Sequence, residues 1–334
     1  MQKKNSYLIT GGTGSFGKAF VKKIIDSKNK VSRLVIFSRD ELKQYEMSQL
    51  FPRKKYPFIR YFLGDVRDEN RILTATENIE TVIHAAALKQ VPTTEYNPFE
   101  AIKTNILGAN NVIHAAIKNN VKNVIALSTD KACSPINLYG ATKLCSDKLF
   151  ISANNIKGNR NIKFCVVRYG NVLGSRGSVI PFFLKNKSKG ILPITDKEMT
   201  RFNITLDYAV DTVIWSLKNL IGGELLVPKL PSYRILDLAN AISFSSKKTI
   251  IGIRPGEKIH EEMISLSDSQ NTIELKNCYL LLPSLTKDIL KKYKKKFNAK
   301  LVKKNFTYSS NKNTKFLSIK ELKKLILDYQ KYKL

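Results

Sequence analysis

The chain has 334 residues, of which 43% are hydrophobic, so it can bury a full core in one large α/β domain or in a domain with a smaller partner. No run of about 18 uncharged apolar residues is present, which argues against a membrane-spanning helix. The formal net charge of +30 raises nucleic-acid binding as a function, but the lysines are spread along the chain without a binding motif, and we interpret them as a solvated basic surface.

The N-terminal residues and the cysteines indicate where the protein resides. Residues 1–6 lead directly into a strand and lack the small-residue cleavage site of a signal peptide. Cys133, Cys145, Cys165 and Cys278 show no metal-ligand spacing and are typical of reduced thiols. We interpret Cys133 as a packing residue rather than a nucleophile. The sequence therefore predicts a cytoplasmic protein that binds no metal, nucleic acid or membrane.

A glycine-rich turn follows the first predicted strand, Tyr7–Thr10, and leads into a helix that begins near Lys18. Glycines permit a tight turn and a close backbone approach, so the helix N-terminus can face a pyrophosphate with its amides. The alternative is an ordinary glycine loop. The position of the turn at the first strand-to-helix junction favours a dinucleotide site formed by Gly11, Thr13, Gly14, Ser15, Phe16 and Gly17.

The second predicted strand, Leu34–Phe37, ends at a segment that distinguishes NADP from NAD. Where an NAD enzyme places an acid on the ribose hydroxyl, this chain has Ser38 and Arg39. An arginine suits a 2′-phosphate, which a carboxylate would repel. Asp40 leaves NAD as the less favoured cofactor, and a plain surface position remains the alternative for Arg39.

Two more strands, Phe58–Phe62 and Thr81–Ala87, continue the pattern. The small residues Ala85 and Ala86 allow the backbone to run close to the cofactor. His84 lies in an apolar run, so we interpret it as a core histidine rather than a catalytic one.

A tyrosine and a lysine form the most informative pair in the chain. Val124–Leu127 is predicted as a buried strand, and the segment from Pro135 leads into a helix that carries Tyr139 and Lys143 on one face. An ammonium beside a phenol favours the phenolate, so Tyr139 becomes a plausible proton acceptor. The proton would come from a substrate hydroxyl, and Thr129 is expected to hydrogen-bond the oxygen of that hydroxyl.

Alternation of strands and helices from residue 7 to about 170 predicts an α/β fold with a doubly wound parallel sheet. Ligands on such sheets bind beyond the carboxyl ends of the strands, where the motifs above fall. After Asn171 the alternation lapses, but a helix, Asp207–Leu220, and a strand, Gly223–Val227, can return to the sheet. We therefore predict two domains: a dinucleotide-binding domain, 1–169 plus 204–227, and a smaller C-terminal substrate-binding domain, 170–203 plus 228–334.

These motifs resemble a known family. The pattern from Thr10 to Gly17 and the Tyr139/Lys143 pair look like an extended short-chain dehydrogenase/reductase with a Rossmann sheet. Ser-Thr-Asp-Lys at 128–131 resembles the inverting UDP-N-acetylglucosamine 4,6-dehydratases, which are NADP-dependent lyases of pseudaminic acid biosynthesis and flagellin glycosylation. The likeness covers nearly the whole chain and is weakest after residue 285.

The resemblance implies further site residues. Asp65 and Val66 match positions by the adenine, and Tyr139 and Lys143 match positions that also contact the cofactor. From the residues alone, Arg254 and Glu257 are barely distinguishable from a surface ion pair. The positions matching those that hold the uridine diphosphate sugar are Lys89, which also lies by the cofactor, Asn171, Val179, Thr195, Arg201, Arg254 and Glu257.

Asp130 and Lys131 are the residues that oxidoreduction alone does not use. Oxidation at C4 of a hexose acidifies the C5 proton and makes the C6 hydroxyl a leaving group. We assign Lys131 to remove the C5 proton and Asp130 to protonate the departing hydroxyl. Lysine acts as a base only if its pKa is lowered, which burial or the neighbouring Lys143 would favour. The alternative is a cap and a solvated lysine.

The predicted function is therefore a UDP-N-acetylglucosamine 4,6-dehydratase that inverts C5. A UDP-hexose 4-epimerase of the same fold, with Asp130 and Lys131 idle, is the first alternative, and a basic NADP-sensing protein without activity is the second. The apolar stripe of the predicted helix Pro98–Asn119 is interpreted as core or subunit contact. We expect a homo-oligomer, either a dimer or a larger assembly such as a hexamer.

Overall fold

The computed structural model describes residues 5–27, 30–175 and 177–331. The strands, in chain order, are β1 Asn5–Thr10, β2 Val31–Ser38, β3 Ile59–Leu63, β4 Thr81–His84, β5 Asn123–Thr129, β6 Lys163–Tyr169, β7 Asn171–Val172, β8 Ile191–Ile194, β9 Thr200–Ile204, β10 Leu225–Pro228, β11 Ser232–Arg234, β12 Lys247–Ile250, β13 Glu262–Ile264, β14 Thr272–Glu274, β15 Cys278–Leu281, β16 Lys300–Leu301 and β17 Tyr308–Ser309.

The α-helices connect these strands. In chain order they are α1 Ser15–Asp26, α2 Glu41–Leu50, α3 Glu69–Ala75, α4 Val91–Tyr96, α5 Pro98–Ile102, α6 Gly108–Lys118, α7 Leu138–Ile156, α8 Val179–Lys187, α9 Leu206–Asn219, α10 Ile235–Ile242, α11 Lys287–Phe297 and α12 Ile319–Lys331. The lysine-rich amphipathic pattern near the C-terminus predicts a helix over residues 319–332, of which Tyr332 lies outside the described residues. Among the described helices, none combines the length and the apolar character needed to cross a bilayer.

A large mixed sheet forms the centre of the molecule, in the order β16-β14-β15-β10-β6-β5-β4-β1-β2-β3. From β3 to β10 all neighbouring strands are parallel. Strands β1, β2, β4, β5 and β6 are almost entirely buried toward their carboxyl ends, as expected for strands covered on both faces. The predicted α/β fold with a doubly wound parallel sheet is therefore confirmed, as is the return of the strand near 223–227 to the sheet.

The C-terminal part of the chain extends this sheet. β15 pairs antiparallel with β10, and β14 and β16 follow it at the edge. This differs from the predicted division, which placed all of 228–334 in the second domain. The reason is that Cys278–Leu281 is buried throughout, so this apolar strand satisfies its backbone and side chains against β10.

A second, smaller apolar core lies apart from the sheet. Its members include Phe183, Leu192, Leu238 and Ile326, each at most 5% exposed. The segment around 179–183 lies where the predicted alternation of strands and helices lapses, yet it forms helix α8, because Ile180 and Phe183 are buried in this core. This smaller lobe faces the carboxyl ends of the parallel strands through β7 and β9.

The predicted helix Pro98–Asn119 is interrupted by a π-helical turn, Lys103–Leu107. Such turns often mark functional segments. The turn carries Asn105, which is 1% exposed. Its amide exchanges hydrogen bonds with both backbone groups of Leu88 and donates to Thr142 Oγ1 at 3.0 Å. Asn105 thus fixes the loop after β4 against helix α7.

Candidate active site

The glycine-rich turn joins β1 to α1 as predicted. Gly11 has φ +63°, and a Cβ built on it would lie 2.9 Å from the backbone of Ala86. A Cβ on Gly17 would lie 2.1 Å from the carbonyl oxygen of Gly12. Any larger residue at these positions would separate the turn from the end of β4. The helix begins at Ser15, so its free amides face the space beyond the turn.

The residues after β2 surround the predicted ribose position. Thr13 Oγ1 and Ser38 Oγ are hydrogen-bonded at 2.8 Å. Arg39 is about half exposed, and its Nη1 lies 3.6 Å from Asp65 Oδ2. Asp40, the residue that kept NAD open, accepts from the amide of Lys43 at 2.9 Å and so caps α2. Its carboxylate is oriented by the helix, and Arg39 is left facing the cleft.

Two residues left aside by the sequence prediction are buried and neutral. His84 bonds through Nδ1 to Thr10 Oγ1 at 2.9 Å, and burial, aided by the charge of Lys143, lowers the pKa of His84 to about 3. Burial raises the pKa of the Cys133 thiol to about 12. A thiol in that state is a poor nucleophile, in keeping with a packing role.

Helix α7 carries the tyrosine and the lysine. Asn137 caps it by accepting from the amide of Gly140 at 2.8 Å, and its own amide donates to the carbonyl of Gly256 at 2.7 Å. A Cβ on Gly140 would lie 2.1 Å from the carbonyl oxygen of Lys131. The glycine therefore permits the helix to pack directly against the loop that carries Lys131. Asn137 joins the helix to the loop that carries Gly256.

A cleft of about 1360 Å³ runs along the carboxyl ends of the parallel strands. It is lined by all of the predicted site residues except Asp130. The carboxyl group of Asp130 is 1% exposed and lies directly behind Thr129 and Lys131, which do line the cleft. The fold thus brings together residues from 11 to 257 in one continuous space.

A buried cluster of charges centres on Lys131. Its Nζ lies 3.2 Å from Asp130 Oδ1 and 2.9 Å from Glu261 Oε1. Thr129 Oγ1 donates to the same Asp130 oxygen at 3.0 Å. Arg201 Nε lies 3.7 Å from Glu261 Oε1. Lys131 is therefore paired with carboxyl groups, and the alternative interpretation of a solvated lysine does not hold for the structure.

Burial and neighbouring charges shift the pKa values of the two carboxyl groups in this cluster in opposite directions. Burial raises the pKa of Asp130 above its usual range, although Lys131 offsets part of the effect. Burial also acts on Glu261, but the charges of Lys131 and Arg201 outweigh it and hold the pKa of Glu261 below its usual range. Of the two groups, Asp130 is therefore the one that binds a proton more readily.

The lysine differs from the prediction in one respect. Burial favours its neutral form, but the carboxylates of Asp130 and Glu261 outweigh burial and raise the pKa of Lys131 above its ordinary value. The prediction that burial or Lys143 would lower this pKa is wrong for the structure, because Asp130 and Glu261 both lie close to the amine of Lys131.

Tyr139 and Lys143 are both held in low-dielectric surroundings. Burial raises the pKa of Tyr139 to about 12, against the lowering effects of the Lys131 charge and a hydrogen bond with Thr129. The expected phenolate is thus not the resting form. Burial lowers the pKa of Lys143, and Asp147 partly restores it. The tyrosine hydroxyl and Thr129 are joined, as the prediction of a shared substrate oxygen requires.

The predicted substrate arginines are already paired. Arg254 holds Glu257 with two contacts of 3.1 Å. Arg201 donates to the carbonyls of Thr200, Lys258 and Ile259 at 2.8–2.9 Å and so anchors the segment that carries Glu257 and Glu261. Their contact with a substrate remains a prediction.

Sequence reasoning missed Glu261 and Asn105. Glu261 lies 130 positions after Lys131, and local patterns do not relate positions so far apart. The available signal is that Glu261-Glu262 directly precede the apolar Met263-Ile264, which predicts a carboxylate at the end of a buried strand. Asn105 lay within an apolar helical stripe, where a single polar residue at a buried position marks an internal hydrogen-bond partner.

The sequence of the chain matches a known protein family over most of its length. A family model described as "Polysaccharide biosynthesis protein" matches residues 7–283. The chain belongs to this family of extended short-chain dehydrogenases/reductases.

Relatives of this short-chain dehydrogenase/reductase match over nearly its whole length. "UDP-N-acetylglucosamine 4,6-dehydratase (inverting)" of Campylobacter jejuni subsp. jejuni serotype O:2 is 53% identical over 333 residues, 98% of each chain. "UDP-glucose 4-epimerase" of Rickettsia prowazekii is 43% identical over 329 residues, 96% of this chain and 94% of the relative. The X-ray structure of Pen from Bacillus thuringiensis superimposes with a TM-score of 0.87 at 38% identity, covering 99% of each chain.

In this short-chain dehydrogenase/reductase, Gly140→Ala is expected to displace the Lys131 loop. A methyl group 2.1 Å from a carbonyl oxygen cannot be accommodated without movement of backbone. We expect a loss of about 1–3 kcal/mol in the free energy of unfolding, measured by chemical denaturation. Cys145→Ala, at an exposed position of the same helix, is the control and should change it by less than about 0.5 kcal/mol. Equal stability of the two variants would contradict the close contact.

Proposed function

We propose that this chain is an NADP-dependent UDP-N-acetylglucosamine 4,6-dehydratase that inverts C5, and therefore a hydro-lyase. Two relatives, at 53% and 52% identity, are named UDP-N-acetylglucosamine 4,6-dehydratase (inverting). The observation that carries the proposal is the buried pair of Asp130 and Lys131 beside the Tyr139–Thr129 hydrogen bond. Oxidation or epimerisation at C4 needs only the tyrosine, so an adjacent acid and amine indicate a second set of proton transfers.

The cradle at the end of β1 fits a nicotinamide dinucleotide. Gly11 packs against the backbone of Ala86 without a side chain between them. This close packing leaves room for a pyrophosphate at the N-terminus of α1. When bound, such a cofactor accepts a hydride from C4 and later returns it to C6. The residues assigned to hold it are Gly11, Thr13, Gly14, Ser15, Phe16, Gly17, Ser38, Arg39, Asp65, Val66, Ala85, Ala86, Lys89, Tyr139 and Lys143.

The preference for NADP rests on Arg39, and its replacement gives a direct test. Arg39→Asp is expected to weaken NADP far more than NAD, because a carboxylate would repel the 2′-phosphate. We expect the ratio of the two dissociation constants to change by at least about tenfold, since a charged hydrogen bond contributes about 1.5–3 kcal/mol. Fluorescence titration of both cofactors measures it, with NAD as the internal control. Equal losses for both cofactors would refute the role.

The chemistry at C4 begins at Tyr139. Once its own phenolic proton has passed to solvent, Tyr139 takes the proton of the C4 hydroxyl as a phenolate, while Thr129 hydrogen-bonds the same oxygen and orients it. The existing hydrogen bond between these two side chains supports the assignment, because it places both hydroxyls around one point in the cleft. Lys143, on the same helix face, supplies positive charge to this region.

The chemistry at C5 and C6 belongs to Lys131 and Asp130. Loss of the C5 proton to Lys131 and protonation of the C6 hydroxyl by Asp130 remove one molecule of water. The raised pKa of Asp130 supports its role as acid, since burial favours the protonated form of this carboxyl group. Although Asp130 lies behind the cleft wall, Thr129 and Lys131 both bond its Oδ1 and connect it to the cleft.

The sugar nucleotide is assigned to the space between the sheet and the smaller lobe. The residues proposed to hold it are Lys89, Asn171, Val179, Thr195, Arg201, Arg254 and Glu257, all of which line the cleft. Opening of the Arg254–Glu257 pair would free a guanidinium for the diphosphate and a carboxylate for a hydroxyl. The net charge of +30 favours approach of such an anion.

The product of the proposed reaction is UDP-2-acetamido-2,6-dideoxy-beta-L-arabino-hex-4-ulose. We propose that it enters pseudaminic acid synthesis and flagellin glycosylation. The resemblance of residues 128–131 to the Ser-Thr-Asp-Lys motif of the enzymes in that route supports this assignment.

A UDP-hexose 4-epimerase is the second candidate, favoured by the relative of that name at 43% identity. Incubation with UDP-N-acetylglucosamine and mass spectrometry of the product distinguish the two functions. We expect a product lighter by one molecule of water. A product of unchanged mass that is UDP-N-acetylgalactosamine would favour the epimerase.

A further inference from the structure

The base assigned to the C5 proton poses a problem that the structure itself answers. Lys131 is held between two carboxyl groups and is an ammonium, which has no lone pair with which to take a proton. Asp130 is assigned to donate a proton to the C6 hydroxyl, so it cannot also take the one from Lys131. Glu261 is the remaining group of the cluster that bonds Lys131 and can accept a proton.

The geometry around Glu261 suits such a role. Its side chain is 2% exposed, and its Oε1 lies 2.9 Å from Lys131 Nζ. Its Oε2 is buried, and among the described residues no hydrogen-bond partner is found for it. Buried carboxylate oxygens are normally hydrogen-bonded, so an open oxygen in this position calls for an explanation. This oxygen belongs to a side chain that bonds Lys131, and Lys131 lines the cleft.

We propose that Lys131 and Glu261 act as one base, in which Lys131 Nζ takes the C5 proton while one of its own N–H protons passes to Glu261 Oε1. This inference rests on the proposed function. The C5–H bond breaks and a new N–H bond forms, while the electron pair of C5 expels the C6 hydroxyl with the proton of Asp130. Lys131 stays an ammonium, Glu261 becomes a neutral acid, and Asp130 becomes a carboxylate. The pair later releases its extra proton to solvent, and a proton from solvent reaches C5 from the opposite face and inverts it.

Other elements fix the carboxylate in place. The backbone amide of Glu261 donates to Ser310 Oγ at 2.9 Å. Glu261 acts through Lys131, and we therefore describe it as a positioning residue that also receives the proton. The titratable and charged groups that face the pair from the elements around it are Asp130, Tyr139, Arg201, Tyr233, Glu257, Lys258 and His260.

The test compares Glu261→Gln and Glu261→Asp with the wild type. Each protein is loaded with NADP and given UDP-N-acetylglucosamine. Glutamine keeps the shape but accepts no proton, so turnover at neutral pH should fall roughly 10²- to 10⁴-fold, the range for loss of general base catalysis. C4 oxidation, followed as reduced nicotinamide in a single turnover, should persist. Aspartate retains a carboxylate and should restore part of the turnover.

The pH profile separates this role from a merely structural one. In the wild type the pair accepts a proton whenever Glu261 is ionised, and since the pKa of Glu261 lies below the usual range, the base is lost only in acid. In Glu261→Gln the base exists only when Lys131 is neutral. Loss of the Asp130 proton at high pH affects both proteins alike, so the ratio of Glu261→Gln turnover to wild-type turnover should rise with pH by about tenfold per unit up to the pKa of the amine.

Glu262→Gln is the matched control. Glu262 is the adjacent carboxylate, but it accepts from Ser134 Oγ at 3.1 Å and lies outside the cluster, so its variant should keep the wild-type profile. A Glu261→Gln profile parallel to that of the wild type would overturn the proposal, as would equal loss of oxidation and elimination. If the wild type itself forms no dehydrated product, the proposed function fails, and the paired base fails with it.

Discussion

Replacing Lys131 with methionine is expected to stop loss of water while C4 oxidation continues. Methionine keeps the length and much of the volume of the side chain but provides no proton acceptor. Turnover should fall roughly 10²- to 10⁴-fold, as for removal of a general base. Because Tyr139 and the cofactor turn are untouched, reduced nicotinamide should accumulate when substrate is added. Stopped-flow absorbance of the nicotinamide, together with product analysis, measures both steps.

The matching control removes a lysine that lies outside the cleft. Lys148 is exposed on helix α7, one turn beyond Lys143, and Lys148→Met should turn over like the wild type. NADP affinity should be unchanged in both variants. Wild-type turnover in Lys131→Met would remove this lysine from the mechanism. Loss of reduced nicotinamide together with product would instead show that the variant fails at or before C4 oxidation.

Tyr139→Phe is expected to block the reaction one step earlier. Without the hydroxyl, no side-chain group takes the proton of the C4 hydroxyl, and Thr129 loses its hydrogen bond with the tyrosine. Turnover should fall by roughly 10²- to 10⁴-fold. No reduced nicotinamide should appear, which distinguishes this variant from Lys131→Met. The same stopped-flow experiment reads both.

A control tyrosine tests whether the effect is specific. Tyr208 lies on helix α9, outside the residues that line the cleft, and Tyr208→Phe should retain full turnover. Rapid reduction of the nicotinamide by Tyr139→Phe would contradict the assignment of this tyrosine as the proton acceptor. The unfolding temperature of each variant shows whether the fold is retained.

The parts of the site that sequence could predict are those fixed by neighbouring residues. The turn at Gly11–Gly17 and the spacing of Tyr139 and Lys143 are properties of a single junction and a single helix. Their backbone conformation follows from local rules, and the parallel sheet follows from the alternation of strands and helices. The carboxyl ends of the strands then bring these distant motifs into one cleft.

The parts that sequence could not predict depend on contacts between distant segments. Asp130 and Glu261 together reverse the predicted effect on the pKa of Lys131, and Glu261 lies 130 positions away from Lys131 in the chain. The strand Cys278–Leu281 joins the sheet because its apolar side chains find cover on β10, and no local pattern specifies that partner. Asp130 directly precedes Lys131 in the chain, but its place behind the cleft wall depends on how the loop is packed.

The most direct test is an NMR spectrum of the product formed from UDP-N-acetylglucosamine in deuterated water, recorded early in the reaction. If Lys131 and Asp130 reach C5 and C6, the product is a 4-keto-6-deoxy sugar with inverted C5, one solvent deuterium at C5 and none at C6. Formation of UDP-N-acetylgalactosamine without deuterium at C5 would contradict the account.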